Sequence, residues 1–284
     1  MAKRHHLEQD AGPDAEDDDN TPLEEAEDVS LRPGQNADAR EDFEHCISAD
    51  VRDLYDVYSY GHAATILKTS FPTELAEIEE ALRNFRITVT DIGMPGGNES
   101  IIPKKYSRTL RPLNWTETRI RGDLAVKMEE YDEVFLRSGK VRKTKRSESV
   151  PRVIKDFVDG HKIDYVKGRV AFDLEWNSKD QTFDRDLYAM RVFHECGIIS
   201  AGVLVTRSAK LNPIFQHVPK LTKEGETIKL VKGPHAGELE TVRAKYGAST
   251  TWMGKLLYRL NAGRHGGCPM LVFGITPALI EDYP

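Results

Sequence analysis

HKIDYVKGRVAFDLEWNSKD, residues 161–180, decides how the rest of the chain is read. Val170, Phe172, Leu174 and Trp176 alternate with Ala171, Asp173 and Glu175. A period of two is a β-strand with one apolar face and one acidic face. Neighbouring carboxylates on one face repel, so the pattern demands either full hydration or a positive charge between them. Lys167-Gly168 separates this run from Ile163–Val166, and a two-residue turn there makes a β-hairpin. That register sets 166 against 169 and 164 against 171, with Asp164 diagonal to Asp173. One hairpin then presents Asp164, Asp173 and Glu175 to a single patch of surface. A divalent cation removes the penalty of ionising three close carboxylates. Oxygen-only donors without His or Cys favour Mg²⁺, with Mn²⁺ as a substitute, over Zn²⁺.

The chain of 284 residues, 39% hydrophobic and 30% charged, is long enough for a sizeable core. It has no apolar run long enough to span a membrane and no basic-then-apolar leader at its start. Cys46, Cys196 and Cys268 are scattered, without metal spacing or a disulfide framework. The expectation is a cytoplasmic protein with no membrane partner. Charge is divided unevenly. Residues 1–50 hold 4 Lys/Arg against 16 Asp/Glu, a net of −12, and the remaining 36 basic and 30 acidic residues net +6, which gives the chain its −6. Residues 1–50 therefore read as an acidic, mostly disordered tail, and 51–284 as a single domain. The tail is either a solvated appendage or a competitor with polyanions for a basic surface, and the sequence leaves both open.

Along the body, "YDVYS" (55–59) reads as a short strand followed by a helix, and "FPTELAEIEEALRNF" (71–85) as a helix with Leu75, Ile78, Leu82 and Phe85 on one face. "RITVTDI" (86–92) is a strand candidate. "GMPGGNES" (93–100) lacks the order of a dinucleotide or P-loop site. "RSGKVRKTKRSES" (137–149) reads as a basic, flexible stretch, and "VPRVIKDFVDGHKIDYV" (150–166) as an amphipathic lead-in to the hairpin. "DRDLYAMRVFHECGII" (184–199) is a helix that ends at Gly197, with His194 a helix or core histidine. "SAGVLVTRS" (200–208) and "CPMLVFGI" (268–275) are strands apolar enough to be buried on both faces. Strands and helices in this order make an α/β fold with a mixed β-sheet core flanked by helices.

Asp164, followed by Asp173 and Glu175 on the next strand, resembles the nuclease pattern PD-(D/E)xK. There the first two acids hold metal and the third position, usually Lys, orients or deprotonates the attacking water. With "HKIDYVKGRVAFDLEWNSKDQTFDRDL", "GVLVTRS", "KYGASTTWMGKLL", "GGCPMLVFGI", "YDVYSYGHAATIL" and "ELAEIEEALRNF", the chain resembles the BglII-type family of type II restriction endonucleases over residues 52–280, most continuously over 161–207. The resemblance implies a single restriction-endonuclease-like domain at 51–284. It implies a hydrolase, a site-specific deoxyribonuclease that uses Mg²⁺ to cut double-stranded DNA at a short palindromic site. It also implies a homodimer, and a cognate DNA methyltransferase that acts on the same site rather than binding directly. Asp164, Asp173 and Glu175 fall on the catalytic and metal-binding positions, and Glu117 on a fourth catalytic position. The third position is Gln in the namesake enzyme; Glu175 departs from it toward BamHI-like enzymes.

Other residues carry two readings each. Asn177 and Lys179 are turn residues or DNA contacts. Arg207 reads guanine edges or caps a strand end at the surface. Ser249, Thr250 and Thr251, with Lys255 a turn later, offer donors to DNA phosphates or an N-cap. Arg142, Lys143, Lys145 and Arg146 form a solvated loop or follow the DNA backbone. Three other functions stay open: a structure-specific or repair nuclease on the same core, a catalytically degenerate DNA-binding module, and a phosphohydrolase of small molecules.

Overall fold

The computed structural model describes residues 36–96, 101–231 and 234–283. Among them are eight strands: β1 (Tyr55–Tyr60), β2 (Thr116–Val126), β3 (Glu129–Phe135), β4 (Val141–Glu148), β5 (Arg152–Lys167), β6 (Val170–Glu175), β7 (Ala201–Arg207) and β8 (Met270–Ile275). Six form one sheet in the order β1-β8-β7-β6-β5-β2, while β3 and β4 pair only with each other. β6, β7 and β8 run parallel at its centre. Each is buried along its whole length, as a parallel strand covered on both faces must be. β1, β5 and β2 join antiparallel, which makes the sheet mixed.

Helices cover both faces. α1 (Ala63–Ser70), α2 (Pro72–Asn84) and α3 (Ile101–Leu110) bury Leu67, Ile78 and Tyr106 against Val170, Phe172 and Val203. α4 (Thr182–Glu195) and α5 (Met253–Asn261) bury Leu187, Met190 and Leu257 against Ala171, Leu204 and Val272. Pro72 opens α2 at a position whose N–H has no helical partner to lose. No helix among the described residues is long and apolar enough to cross a membrane.

The hairpin that carries the acids differs from its sequence reading. Tyr165 pairs with Phe172, Val166 with Ala171 and Lys167 with Val170, so the turn is Gly168-Arg169. Gly168 takes φ +53°, which a first turn residue of this hairpin type needs and which only glycine adopts without strain. The two-residue slip leaves every side chain on its face, so Asp164, one residue beyond the Tyr165–Phe172 pair, stays on the face of Asp173. β5 is also bulged here. Thr116 pairs with Val166 but Thr118 with Ile163, so β5 carries one residue more than β2 around Asp164 and Tyr165.

Three other segments also depart from expectation. "RITVTDI" forms a short helix, Val89–Gly93, because Thr88 and Asp91 build a capping box: Asp91 N–H donates to Thr88 Oγ1 (3.0 Å) and Thr88 N–H to the Asp91 carboxylate (2.9 Å). "RSGKVRKTKRSES" is not an irregular loop; Val141–Glu148 is strand β4, with Lys143 and Lys145 facing Glu133 and Tyr131 across the pair. Residues 36–50 belong to the folded body. Phe43, Cys46 and Ile47 are buried in the core of the α1–α2 face, and the charge count could not see these apolar side chains between acids. The rest of the acidic segment, 1–35, lies outside the described residues.

Phe43→Ala tests that boundary. Emptying a buried aromatic site should cost about 3 kcal/mol and lower the melting temperature by roughly 6–12 °C. A melting temperature equal to that of the wild type would return residues 36–50 to the tail.

Candidate active site

Strand parity puts Val170, Phe172 and Leu174 in the core beneath α1–α3, so Asp173 and Glu175 point to the α4 side. α4 sits close on the sheet there. A Cβ added at Gly202 of β7 would stand 2.6 Å from Met190 Sδ, so the Met190 side chain of α4 rests directly on the β7 backbone. The two carboxylates are therefore buried, at 5% and 7% exposure, instead of lying on an open surface. Asp164, at the bulge of β5, is half-buried. Arg111 fixes the bulge: Nη1 donates to the Asp164 carbonyl (2.9 Å), and the guanidinium lies 4.4 Å over the Tyr165 ring.

Burial drives the electrostatics. Asp173 is held well above the usual carboxylate range by desolvation, then by the charges of Asp186, Asp164 and Glu175; the Leu174 N–H donated to its Oδ1 (2.9 Å) only partly offsets this. Asp186, on α4, is raised by burial and then by the charge of Glu175, against the pull of Arg185; its Oδ1 accepts from Arg185, and its buried Oδ2 has no partner among the described residues. Glu175 is raised by burial as well, but hydrogen bonds from Ser178 and Asp186 and the charge of Arg185 oppose the rise. Arg185 supplies the local positive charge, with Nε and Nη2 at 3.0 and 2.9 Å from Asp186 Oδ1 and Nη2 at 3.3 Å from Glu175 Oε1. Four carboxyl groups thus interact in one low-dielectric region against one guanidinium.

A cleft of about 850 Å³ opens beside this cluster, lined among others by Glu117, Asp164, Glu175, Asn177, Arg111 and Lys245. Glu117 is half exposed and pairs with Lys162 Nζ at 2.5 Å. Asn177 donates to the Lys245 carbonyl (3.2 Å), and its buried Oδ1 has no partner among the described residues. Lys179 and Ser249 are exposed; Lys179 bridges to Thr250, so the segments after β6 and before α5 lie side by side. Lys255 is partly buried, 3.9 Å from Asp180.

Two of the expected DNA contacts are internal. Arg207 is fully buried, so neither the base-reading nor the surface-cap reading holds in this structure. Its Nε donates to the Trp176 and Thr251 carbonyls (2.9 and 3.1 Å) and its Nη2 to Thr250 Oγ1 (2.6 Å). Thr251 is also fully buried; its hydroxyl accepts the Ser178 N–H (3.2 Å), and the N-cap of α5 is Trp252. Four residues of the site went unnamed in the sequence reading: Arg111, Arg185, Asp186 and Lys245. Arg185 and Asp186 lie in "DRDL", which the sequence reading took only as the start of a helix. Lys245 had no local signal. Burial, then the charges of Arg207 and Lys220, bring its pKa down to about 8, and its Nζ caps the Ile92 and Met94 carbonyls (3.0 and 2.6 Å).

The family model described as restriction endonuclease BglII/BglIII matches residues 55–275, from the first residue of β1 to the last of β8. The chain belongs to this family. A search of curated proteins finds no match. Membership makes the chain a restriction endonuclease, a site-specific deoxyribonuclease and hydrolase whose substrate is DNA. Restriction endonucleases of this kind typically use a divalent metal. The BglII/BglIII-type match spans the hairpin, the bulge and α4, the elements that gather the acids. An all-oxygen donor set starved of positive charge suits a hard divalent cation. Among the described residues, though, no three His, Cys, Asp or Glu side chains stand close enough to grip one as they are. Arg185 holds Glu175 toward Asp186 instead, so a cation requires a small rearrangement of these side chains.

Raised carboxylates fix the sign of a pH effect. Their stabilising contribution is present at low pH, below the unfolded-state pKa, and is lost as pH rises through the raised folded-state values. Asp173→Asn removes one of the two strongly raised groups without changing its size. In chelator, melting curves from about pH 5 to about pH 9 should fall less steeply for Asp173→Asn than for the wild type, with the variant more stable at the alkaline end. A variant less stable at every pH would refute the charge account of Asp173.

Proposed function

We propose that this restriction endonuclease is a Mg²⁺-dependent type II enzyme, with Mn²⁺ as a substitute, that cuts double-stranded DNA at a short palindromic site. Asp164 and Asp173 would hold the ion, with Glu175 beside them and Glu117 as a fourth participant across the cleft. The observation that supports this reading is the closeness of Asp164 to the buried pair: its charge acts on both Asp173 and Glu175, and with Glu175 it lines the cleft. An ion held by these residues would supply positive charge to the scissile phosphate and make a water more acidic. Glu175 accepts the proton from the attacking water. Burial raises its pKa toward the range where a base operates, and Arg185 and Asp186 hold its carboxylate in place. Asn177, Lys179, Ser249, Thr250 and Lys255 lie at the end of the sheet where β6 and β7 finish, and face the DNA backbone. Arg207 and Thr251 hold those segments together from beneath. A palindromic target is cut by two copies of one chain about a two-fold axis. The setting is cytoplasmic, and a cognate methyltransferase protects the same DNA sequence without binding the enzyme.

Asp164→Asn and Asp173→Asn should each slow single-turnover cleavage in Mg²⁺ by roughly a thousandfold or more, with gel-shift affinity in Ca²⁺ retained. Glu175→Gln should keep weak cleavage and Glu175→Ala none. An Asp173→Asn enzyme that cuts at the wild-type rate would move the active site elsewhere.

A further inference from the structure

Lys245 has no part in the chemistry of the acids, yet it shares their cleft. It lies half-buried in the wall that Asp164, Glu175 and Asn177 also line. Its backbone is tied to the end of β6. Asn177 Nδ2 donates to the Lys245 carbonyl (3.2 Å), and Trp176 Nε1 donates to the hydroxyl of Tyr246 (3.2 Å). Residue 245 is thereby fixed beside the two residues that follow Glu175.

Its charge is unmatched. Two carboxylates that line the cleft already hold amines: Asp91 has Lys105 at 2.6 Å, and Glu117 has Lys162 at 2.5 Å. Among the described residues the Lys245 ammonium has no carboxylate partner. Arg207 has none either, and the two cations share one ring, with Lys245 Nζ 4.8 Å and the Arg207 guanidinium 5.0 Å from the centre of Tyr246. Burial, then the charges of Arg207 and Lys220, bring the Lys245 pKa down to about 8. Like charges held close in a medium of low dielectric are costly, and an anion in the cleft relieves that cost. Arg207 is fully buried and cannot meet one; Lys245 lines the cleft and can.

Helix capping uses only part of this group. Nζ donates to the carbonyls of Ile92 (3.0 Å) and Met94 (2.6 Å), at the end of the short helix Val89–Gly93. An ammonium has three donors, and the third has no acceptor among the described residues. Two carbonyls hold the side chain in place before a ligand arrives. Binding through it costs less side-chain entropy than ordering the exposed Lys179 or Lys223.

We infer that Lys245 binds a phosphate of the DNA strand that enters this cleft, through the free N–H of an ammonium fixed by the Ile92 and Met94 carbonyls. The inference deepens the proposed function and rests on it for the entry of the cut strand beside Glu175. It adds a fixed, half-buried phosphate anchor to the exposed donors Lys179 and Ser249.

Fluorescence anisotropy of the full chain at about pH 7 in Ca²⁺, on the shortest duplex that the wild type cuts in Mg²⁺, tests it. Lys245→Gln keeps an N–H donor for the two carbonyls and removes the charge; Lys245→Met removes both. Each should weaken affinity by about tenfold and lower the slope of log affinity against log salt by about one, whereas Lys245→Arg, still charged, should keep the wild-type slope. Methylphosphonates, which neutralise one phosphate at a time, identify the partner: at one position the neutral group should weaken the wild type and leave Lys245→Gln unchanged. Wild-type slopes in Lys245→Gln and Lys245→Met, with only a lower melting temperature, make Lys245 a helix cap and overturn the proposal. If Lys245→Met does not fold, Lys245→Gln decides. If the wild type cuts no duplex, the same slopes on a mixed-sequence duplex of about 30 base pairs decide. A slope lower by about one in Lys245→Gln then upholds the contact and sinks only the nuclease mechanism; equal slopes sink both.

Discussion

Two carboxylates side by side on a strand that is buried on both faces form the constraint on which this structure turns. Asp173 and Glu175 lose their water to α4, which packs on the sheet with Met190 over Gly202. Low dielectric then magnifies every charge nearby. The fold answers with Arg185, whose guanidinium donates to both Asp186 and Glu175. This does not remove the strain on Asp173, which keeps only a backbone N–H for company. Such a site is short of positive charge, and under the proposed function Asp164, whose charge acts on Asp173, would add a further oxygen ligand to a cation there.

A second buried charge organises the neighbouring loops. The Arg207 guanidinium, its pKa brought down to about 10 by burial, lies over the Phe215 and Tyr246 rings and holds the carbonyls of Trp176 and Thr251. It ties the end of β6 to the approach of α5. Asn177, Lys179 and Thr250 owe their common placement to it. A buried cation without a carboxylate partner is costly unless its hydrogen bonds are met by carbonyl and hydroxyl oxygens and its plane by aromatic faces, and both conditions hold here for most of the group.

The strand alternation at 170–176, the apolar runs at 201–207 and 270–275 and the helical spacing at 182–195 were legible because each follows directly from which face of an element is buried. What failed to show were features that depend on a single geometry or on distant partners. The hairpin slipped by two residues because Lys-Gly and Gly-Arg are both plausible turns, and only the glycine's positive φ separates them. Thr88 and Asp91 turned a strand-like stretch into a helix through two hydrogen bonds that hydrophobic periodicity ignores. The basic run at 142–146 hid a strand because its pairing partner, with the compensating acids, lies ten residues earlier. Arg207 looked like a surface residue because no local pattern announces a buried guanidinium; its partners come from 176, 250 and 251.

The central claim is that the cluster beneath α4 is a divalent-metal site, and the most direct measurement is anomalous diffraction from crystals grown with Mn²⁺. The account predicts an Mn²⁺ peak between the carboxylates of Asp164 and Asp173, with the Arg185 guanidinium withdrawn from Glu175. Saturating Mn²⁺ with no peak at these acids, and Arg185 still bonded to Glu175, would contradict it.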